Sequence, residues 1–182
     1  VVTTGDEEPL ESEQSNWVPS TAPFDENAAD FEPSGGGFGN ALDFNGVDES
    51  VEIGAGIDIA EKSFTVEAWA WRDPTGTGSD QIVQQGPRQT NKGFHFGFQP
   101  SGTFRCAFYF NDLTTTTAYT DTDWHHWACT YDAPTKNRRI YRDGIEVAQG
   151  TASSHYLGTG ATFIGSFNQG DWFKGAIDEV RI

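Results

Sequence analysis

A chain of 182 residues is long enough for one domain with a real core and too short for two comfortable ones. Aromatic residues make up 14% of it and glycines number 21, with no methionine, which is the composition of many aromatic strands punctuated by turns. The net charge of −16, from 27 acids against 11 bases, argues against duplex nucleic acid as a partner and suits cation binding, a salty medium or plain solubility.

The charge is unevenly placed. The first 32 residues hold nine of the acids and none of the Lys or Arg, so more than half of the net charge lies there. Pro9, Pro19, Pro23 and Pro33 precede Ser34-Gly35-Gly36-Gly37. Residues 1–37 therefore read as an acidic extended arm or linker, and residues 38–182 as the domain proper. Leu10, Trp17, Val18 and Phe24 are the apolar anchors available to the arm. Val1-Val2-Thr3-Thr4 has the composition to add a strand to the sheet edge of a neighbouring copy, or to fold back over its own domain. A chain that starts at Val1 rather than Met reads as a mature or excised fragment. No apolar run approaches the ~18 residues that span a bilayer, so membrane insertion is not expected.

From Gly39 onward short strands follow one another. Ala41 to Phe44 and Ser50 to Ile53 flank an Asn45-Gly46 turn. Ser63 to Arg72 is the longest, with Phe64, Val66, Ala68 and Ala70 on one face and Trp69 and Trp71 on the other, so both faces are covered. Gln81 to Gln85, Gly93 to Phe98, Thr103 to Phe110 and Thr115 to Tyr119 come next, each bounded by Gly, Pro or Asn-Asp. The stretch Trp124 to Val147 is a three-stranded meander. Trp127, Cys129 and Tyr131 alternate with His126, Ala128 and Thr130, and Asp143-Gly144 marks a tight hairpin because a primed turn needs positive φ. Ala161 to Phe167 and Phe173 to Ile182 close the chain. No helix competes, and about a dozen strands at this spacing predict a two-sheet antiparallel sandwich or jelly roll.

Three ordered motifs carry a resemblance. They are Ala41-Leu42-Asp43-Phe44-Asn45-Gly46 leading to Phe64-Thr65-Val66-Glu67-Ala68-Trp69, then Trp124-His125-His126-Trp127-Ala128 with Ile140-Tyr141-Arg142-Asp143-Gly144, and Gly175-Ala176-Ile177-Asp178-Glu179-Val180. Together they resemble the laminin-G-like jelly-roll domains of the concanavalin A-like lectin and glucanase superfamily. The resemblance implies a concanavalin A-like β-sandwich and leaves function open among lectins, adhesion modules and hydrolases. It also implies a structural calcium with Asp178 as a ligand, which Asp43 or the N-terminal acids would complete; the other reading has Asp178 bonded to nearby backbone or paired with Arg181.

The chemistry-bearing residues sort as follows. Glucan-cutting members of the superfamily carry two glutamates and an aspartate at alternate positions of one strand, and neither Asp48-Glu49-Ser50-Val51-Glu52 nor Asp178-Glu179 offers that set. No enzyme is expected. His125 and His126 are adjacent in a strand and face opposite ways, so they cannot share a ligand, and Ser154-His155 has no partnering motif. A sugar site needs an aromatic plate beside amide and carboxylate groups. Asn168, Asp171 and Trp172 in one loop have those types, as do Asp112 and Tyr119 near another. Cys106 alternates with Phe104, Phe108 and Phe110, and Cys129 with Trp127 and Tyr131, so the two form a disulfide across the core or remain two buried thiols. The expectation is a non-catalytic binding or adhesion module, extracellular or on a cell surface, whose partner is a glycan or an extracellular protein. The alternative is a structural subunit of an extracellular filament or surface array, assembled through residues 1–37.

Overall fold

The computed structural model describes residues 30–33, 40–167 and 170–182, the first four as a backbone strand alone. The strands are Asp30–Pro33 (β1), Asn40–Asn45 (β2), Val51–Gly54 (β3), Phe64–Arg72 (β4), Gln81–Gln85 (β5), Phe94–Phe98 (β6) and Thr103–Ala107 (β7). Asp112–Ala118 (β8), His125–Asp132 (β9), Asn137–Arg142 (β10), Ile145–Thr151 (β11), Thr162–Ile164 (β12) and Lys174–Arg181 (β13) complete them. A seven-stranded sheet runs in the order β1-β2-β13-β4-β9-β10-β11 and a six-stranded sheet in the order β3-β12-β5-β6-β7-β8. Neighbours are antiparallel throughout, and no helix occurs among the described residues. This is the two-sheet antiparallel sandwich that the alternation predicted.

The core lies where the inner faces meet. Val66, Ala68 and Ala70 of β4 and Trp127, Cys129 and Tyr131 of β9 pack against Phe94, Phe96 and Phe98 of β6 and Phe104 and Cys106 of β7. Trp127 stacks face to face on Phe104, with centroids 4.0 Å apart and planes 4° from parallel. A disulfide joins Cys106 to Cys129 across the two sheets, with their Cα atoms 6.2 Å apart and 23 residues apart in sequence. Closing a loop of that size restricts the unfolded chain by about 3 kcal/mol.

Asp143 and Gly144 both have positive φ, 51° and 78°, so β10 and β11 are joined by the primed turn that Asp-Gly favours. Gly97 on β6 is required for another reason. A Cβ there would stand 2.3 Å from the Asp80 carbonyl oxygen, because the bulged start of β5 crosses directly over it. Three sequence-derived boundaries change by three residues. The strand expected over Thr103–Phe110 ends at Ala107, because Tyr109 and Phe110 turn the chain at φ 53° and 57°. β8 consequently starts at Asp112 rather than Thr115, and the strand expected over Ala161–Phe167 stops at Ile164 before Gly165 at φ 83°.

Residues 30–33, which composition placed in the arm, form β1. They pair with β2 of the same chain, Asp30 opposite Asp43 and Pro33 opposite Asn40. The anchors Leu10, Trp17, Val18 and Phe24 and the Val1–Thr4 segment lie outside the described residues.

Candidate functional site

The outer face of the six-stranded sheet gathers side chains that the core does not need. On β6 the phenylalanines 94, 96 and 98 point inward, so His95 and Gly97 point outward; on β7 Phe104 and Cys106 point inward and Arg105 outward. Register then brings distant residues side by side. Gln84 of β5 stands opposite His95, His95 opposite Ala107, and Ala107 opposite Asp112 of β8. In the next row Gln81 stands opposite Gly97, Gly97 opposite Arg105, and Arg105 opposite Thr114.

Several of these groups are buried without a hydrogen-bond partner. The Oε1 atoms of Gln81 and Gln84, both ring nitrogens of His95 and Nε of Arg105 have none, although buried polar atoms in proteins almost always do. His95 is 4% exposed and lies between two rings, Phe167 at 4.0 Å and Tyr109 at 5.4 Å. Arg88 covers Phe167, its guanidinium carbon 4.7 Å from the ring, and donates to the Phe167 carbonyl and to Asp171 Oδ2 at 3.1 and 2.9 Å.

Electrostatics follow from this geometry. Burial, then the charges of Arg105 and Arg88, pushes the His95 imidazole down to about 3, so the ring is neutral near pH 7. Burial also lowers the Arg105 guanidinium, while the carboxylates of Asp112 and Asp171 act in the opposite direction. Between the ordinary histidine value of 6.5 and about 3, the unfolded chain takes up a proton on His95 that the folded chain refuses. Folding stability therefore falls as pH drops through that window. His95→Gln should flatten this fall, so that its melting temperature gains on the parent's on acidification. Thermal melts of both chains from neutral to mildly acidic pH would check this, and parallel profiles would refute it.

The residues chosen from sequence go to several places. The carboxylates of Asp112 and Asp171 both act on the Arg105 charge. Asp171 also lines a cleft of about 380 Å³ with Trp172, Lys174 and the loop Thr75–Asp80, so Asp171 and Trp172 share a wall there. At the base of that cleft Asp80 accepts from Arg72 Nε at 2.6 Å, and burial raises its carboxyl above the usual range despite the guanidinium. Asn168 lies outside the described residues. Tyr119 is not brought to Asp112, from which the length of β8 separates it. It packs edge-on against Trp127 and under the Arg142 guanidinium, 4.7 Å away. Phe110, expected in the core, is 81% exposed because the turn swings it outward.

The metal candidates Asp178 and Asp43 lie on the adjacent strands β13 and β2. Asp178 Oδ1 accepts the Glu179 N–H at 2.8 Å, its Oδ2 is buried without a partner, and Arg181 pairs with Glu67 and Glu179 instead. Asp43 stands opposite Ala176 on the neighbouring strand. Among the described residues the one group of three metal-ligating side chains is Asp121, Asp123 and His125, with ligand atoms within 4.8 Å of one another. Arg142 already supplies positive charge there. Its Nη2 lies 2.7 Å from Asp121 and contacts His125 Nε2, and His125 Nδ1 bonds Asp143 at 2.7 Å. His126 faces the other way, toward Glu67 and Trp69.

Sequence reasoning looked for a sugar site in loops and missed Gln84, His95, Arg88 and Arg105. The signal was present in the alternation, since a histidine among phenylalanines at every second position must point away from their core.

Comparison with known proteins adds the following. A family model described as Concanavalin A-like lectin/glucanases superfamily matches residues 45–182. No curated protein sequence matches the chain. Among solved structures, domain 4 of AbnA, a GH43 extracellular arabinanase from Geobacillus stearothermophilus in complex with arabinotriose, is similar with a TM-score of 0.64 and 19% identity, over 84% of this chain and 74% of that one. The CBM40 of the Ruminococcus gnavus IT-sialidase is similar with a TM-score of 0.56 and 14% identity, over 72% of this chain and 88% of that one. A heptameric SAP-like pentraxin from Limulus polyphemus gives 0.53 and 12%, over 76% and 73%. At these identities the likeness is one of fold.

Proposed function

Because the chain belongs to the concanavalin A-like lectin/glucanase superfamily, we propose that it is a non-catalytic carbohydrate-binding module whose glycan lies on the outer face of the six-stranded sheet. The observation that carries the reading is a set of buried atoms without hydrogen-bond partners, Gln84 Oε1, both His95 ring nitrogens and Arg105 Nε, beneath a half-buried to exposed rim of Arg105, Tyr109, Asp112 and Asp171. Sugars are held by polar groups for their hydroxyls and by rings for their C–H faces, and the rim of this face offers both in Arg105, Asp112 and Tyr109. Solved relatives in fold with glycan ligands, one with arabinotriose and one with sialyllactose, support the class of ligand. The disulfide fits an oxidising setting and supports an extracellular or cell-surface location.

Calorimetric titration with glycans tests this reading. Arg105→Ala is expected to weaken binding at least about tenfold, on the order of the 1.5–3 kcal/mol of a charged hydrogen bond. Trp172→Ala, in the neighbouring cleft, is expected to weaken it less. An Arg105→Ala chain that melts and binds like the parent sinks the assignment of the site.

Two further parts of the reading share one measurement. Calcium held by Asp178 and Asp43 is supported by the partnerless Asp178 Oδ2, and two carboxylates supply only part of the six to eight oxygens that calcium takes. Assembly through residues 1–37 is the alternative role, supported by the place of β1 at the edge of its sheet. Solution mass and melting temperature of the full chain and of a chain starting at Gly37, each with calcium and with a chelator, decide both. A calcium-dependent rise in melting temperature supports the ion, and self-association confined to the full chain supports assembly. Identical melts with and without calcium remove the first, and two monomers remove the second.

A further inference from the structure

The hairpin between β7 and β8 breaks a local rule. Its two central residues have positive φ, the geometry for which Asn-Gly is the favoured pair, yet they are Tyr109 and Phe110. Bulky aromatic residues are outliers in that region and persist only where the surroundings over-determine them. Here they do. Phe108 donates its N–H to the Asn111 carbonyl at 3.0 Å, and Asn91 donates its N–H to the Tyr109 carbonyl at 3.1 Å. The buried Arg138 reaches from the opposite sheet to donate to the Asn111 carbonyl and Oδ1, at 2.6 and 3.1 Å.

The product of this bracing is a phenyl ring held in water. A scattered exposed apolar residue needs no explanation, but one displayed by two strained positions on a pinned turn does. The ring of Phe110 meets Tyr109 edge-on at 4.8 Å, and Tyr109 is the ring beside His95. Phe110 is thus the solvent end of a row of rings that begins at the buried Phe167. Arg105 and Asp112 lie beside that row.

Resting on the reading of this face as a glycan site, we propose that Phe110 is a stacking plate for a second sugar unit, so that the ligand is an oligosaccharide rather than a single sugar. One unit meets the polar groups around Arg105, and the next lays its C–H face on Phe110. A phenyl ring offers no hydrogen bond, so this position selects sugars with an apolar patch on one face and adds affinity with chain length.

The test is calorimetric titration of the full chain with two length series, arabinose to arabinotriose and galactose to sialyllactose, for the parent, Phe110→Gly, Phe110→Trp and Arg105→Ala. The parent is expected to bind the longest member of a series at least tenfold tighter than the shortest. Phe110→Gly, whose backbone suits the turn better, is expected to melt no lower than the parent and to lose that gain while keeping the affinity for the short member. Phe110→Trp keeps the gain, and Arg105→Ala weakens both ends of the series. A Phe110→Gly chain with the parent's length dependence overturns the plate and leaves the site standing. A parent chain that binds no member of either series overturns the site reading, and the plate with it.

Discussion

Trp127→Ala is expected to remove about 3–5 kcal/mol of folding stability, the range for emptying a buried Trp or Phe position. Trp127 is 1% exposed and sits where the two sheets meet. One face lies flat on Phe104, its edges meet Phe98 at 5.4 Å and Tyr119 at 4.9 Å, and the Arg142 guanidinium lies 5.7 Å from its ring. A sandwich has little freedom to collapse around such a gap, because the sheet spacing is set by every other inner side chain. Against a total of roughly 5–15 kcal/mol for a domain, this loss brings the chain close to unfolding. Urea denaturation would check it. The midpoint should fall steeply with an unchanged slope, and Trp127→Phe, which keeps a ring on Phe104, should recover much of the loss. A midpoint within error of the parent's would mean that the stack does not carry this region.

Arg138→Met comes second, with an expected cost of about 2–3 kcal/mol from the lost charge-assisted bonds, partly offset by the apolar replacement. Arg138 is 2% exposed and has no carboxylate salt bridge among the described residues. Its guanidinium is held by the Cys106 carbonyl, by Asn111, and by the face of Phe108 at 4.5 Å. Burial pushes it down to about 10, which leaves it charged near neutral pH. Methionine fills similar space with no donors, so Asn111 loses the group that pins it. The variant should unfold earlier in urea and also show faster amide exchange at Tyr109 and Phe110. Exchange at those two amides unchanged, with stability lowered, would mean that Arg138 supports the core but not the turn.

The fold was legible because its signal is local. Alternation in Trp127-Ala128-Cys129-Thr130-Tyr131 and the Asp143-Gly144 turn can be read within a few residues, and the structure follows both. Phe110, the last of the series Phe104, Cys106, Phe108, Phe110, was misread for the same reason, while the first three are buried as their alternation says. The period continues through Phe110, and nothing in a run of aromatics says that the chain turns before its last member. That information sits in Arg138 and Asn91, which are 28 and 19 residues from Phe110 in sequence and bond its neighbours Asn111 and Tyr109 only in the folded sandwich. The candidate site shows the same limit. His95 and Arg105 could each be assigned an outer face, but only the strand register sets Gln84 beside His95 and Gly97 beside Arg105. Residue type was visible; neighbourhood was not.

The place of β13 has a kinetic consequence. It lies in the middle of its sheet, between β2 and β4, yet it follows every other described strand in chain order. Until Lys174–Arg181 leaves the ribosome, β2 and β4 have no bridge, and both present open backbone edges to other chains. Completion of this sheet therefore waits for β13 and joins residues more than 100 positions apart in sequence, from β2 at Asn40–Asn45 to β13 at Lys174–Arg181, and folding should belong to the slow, millisecond-to-second class of all-β domains.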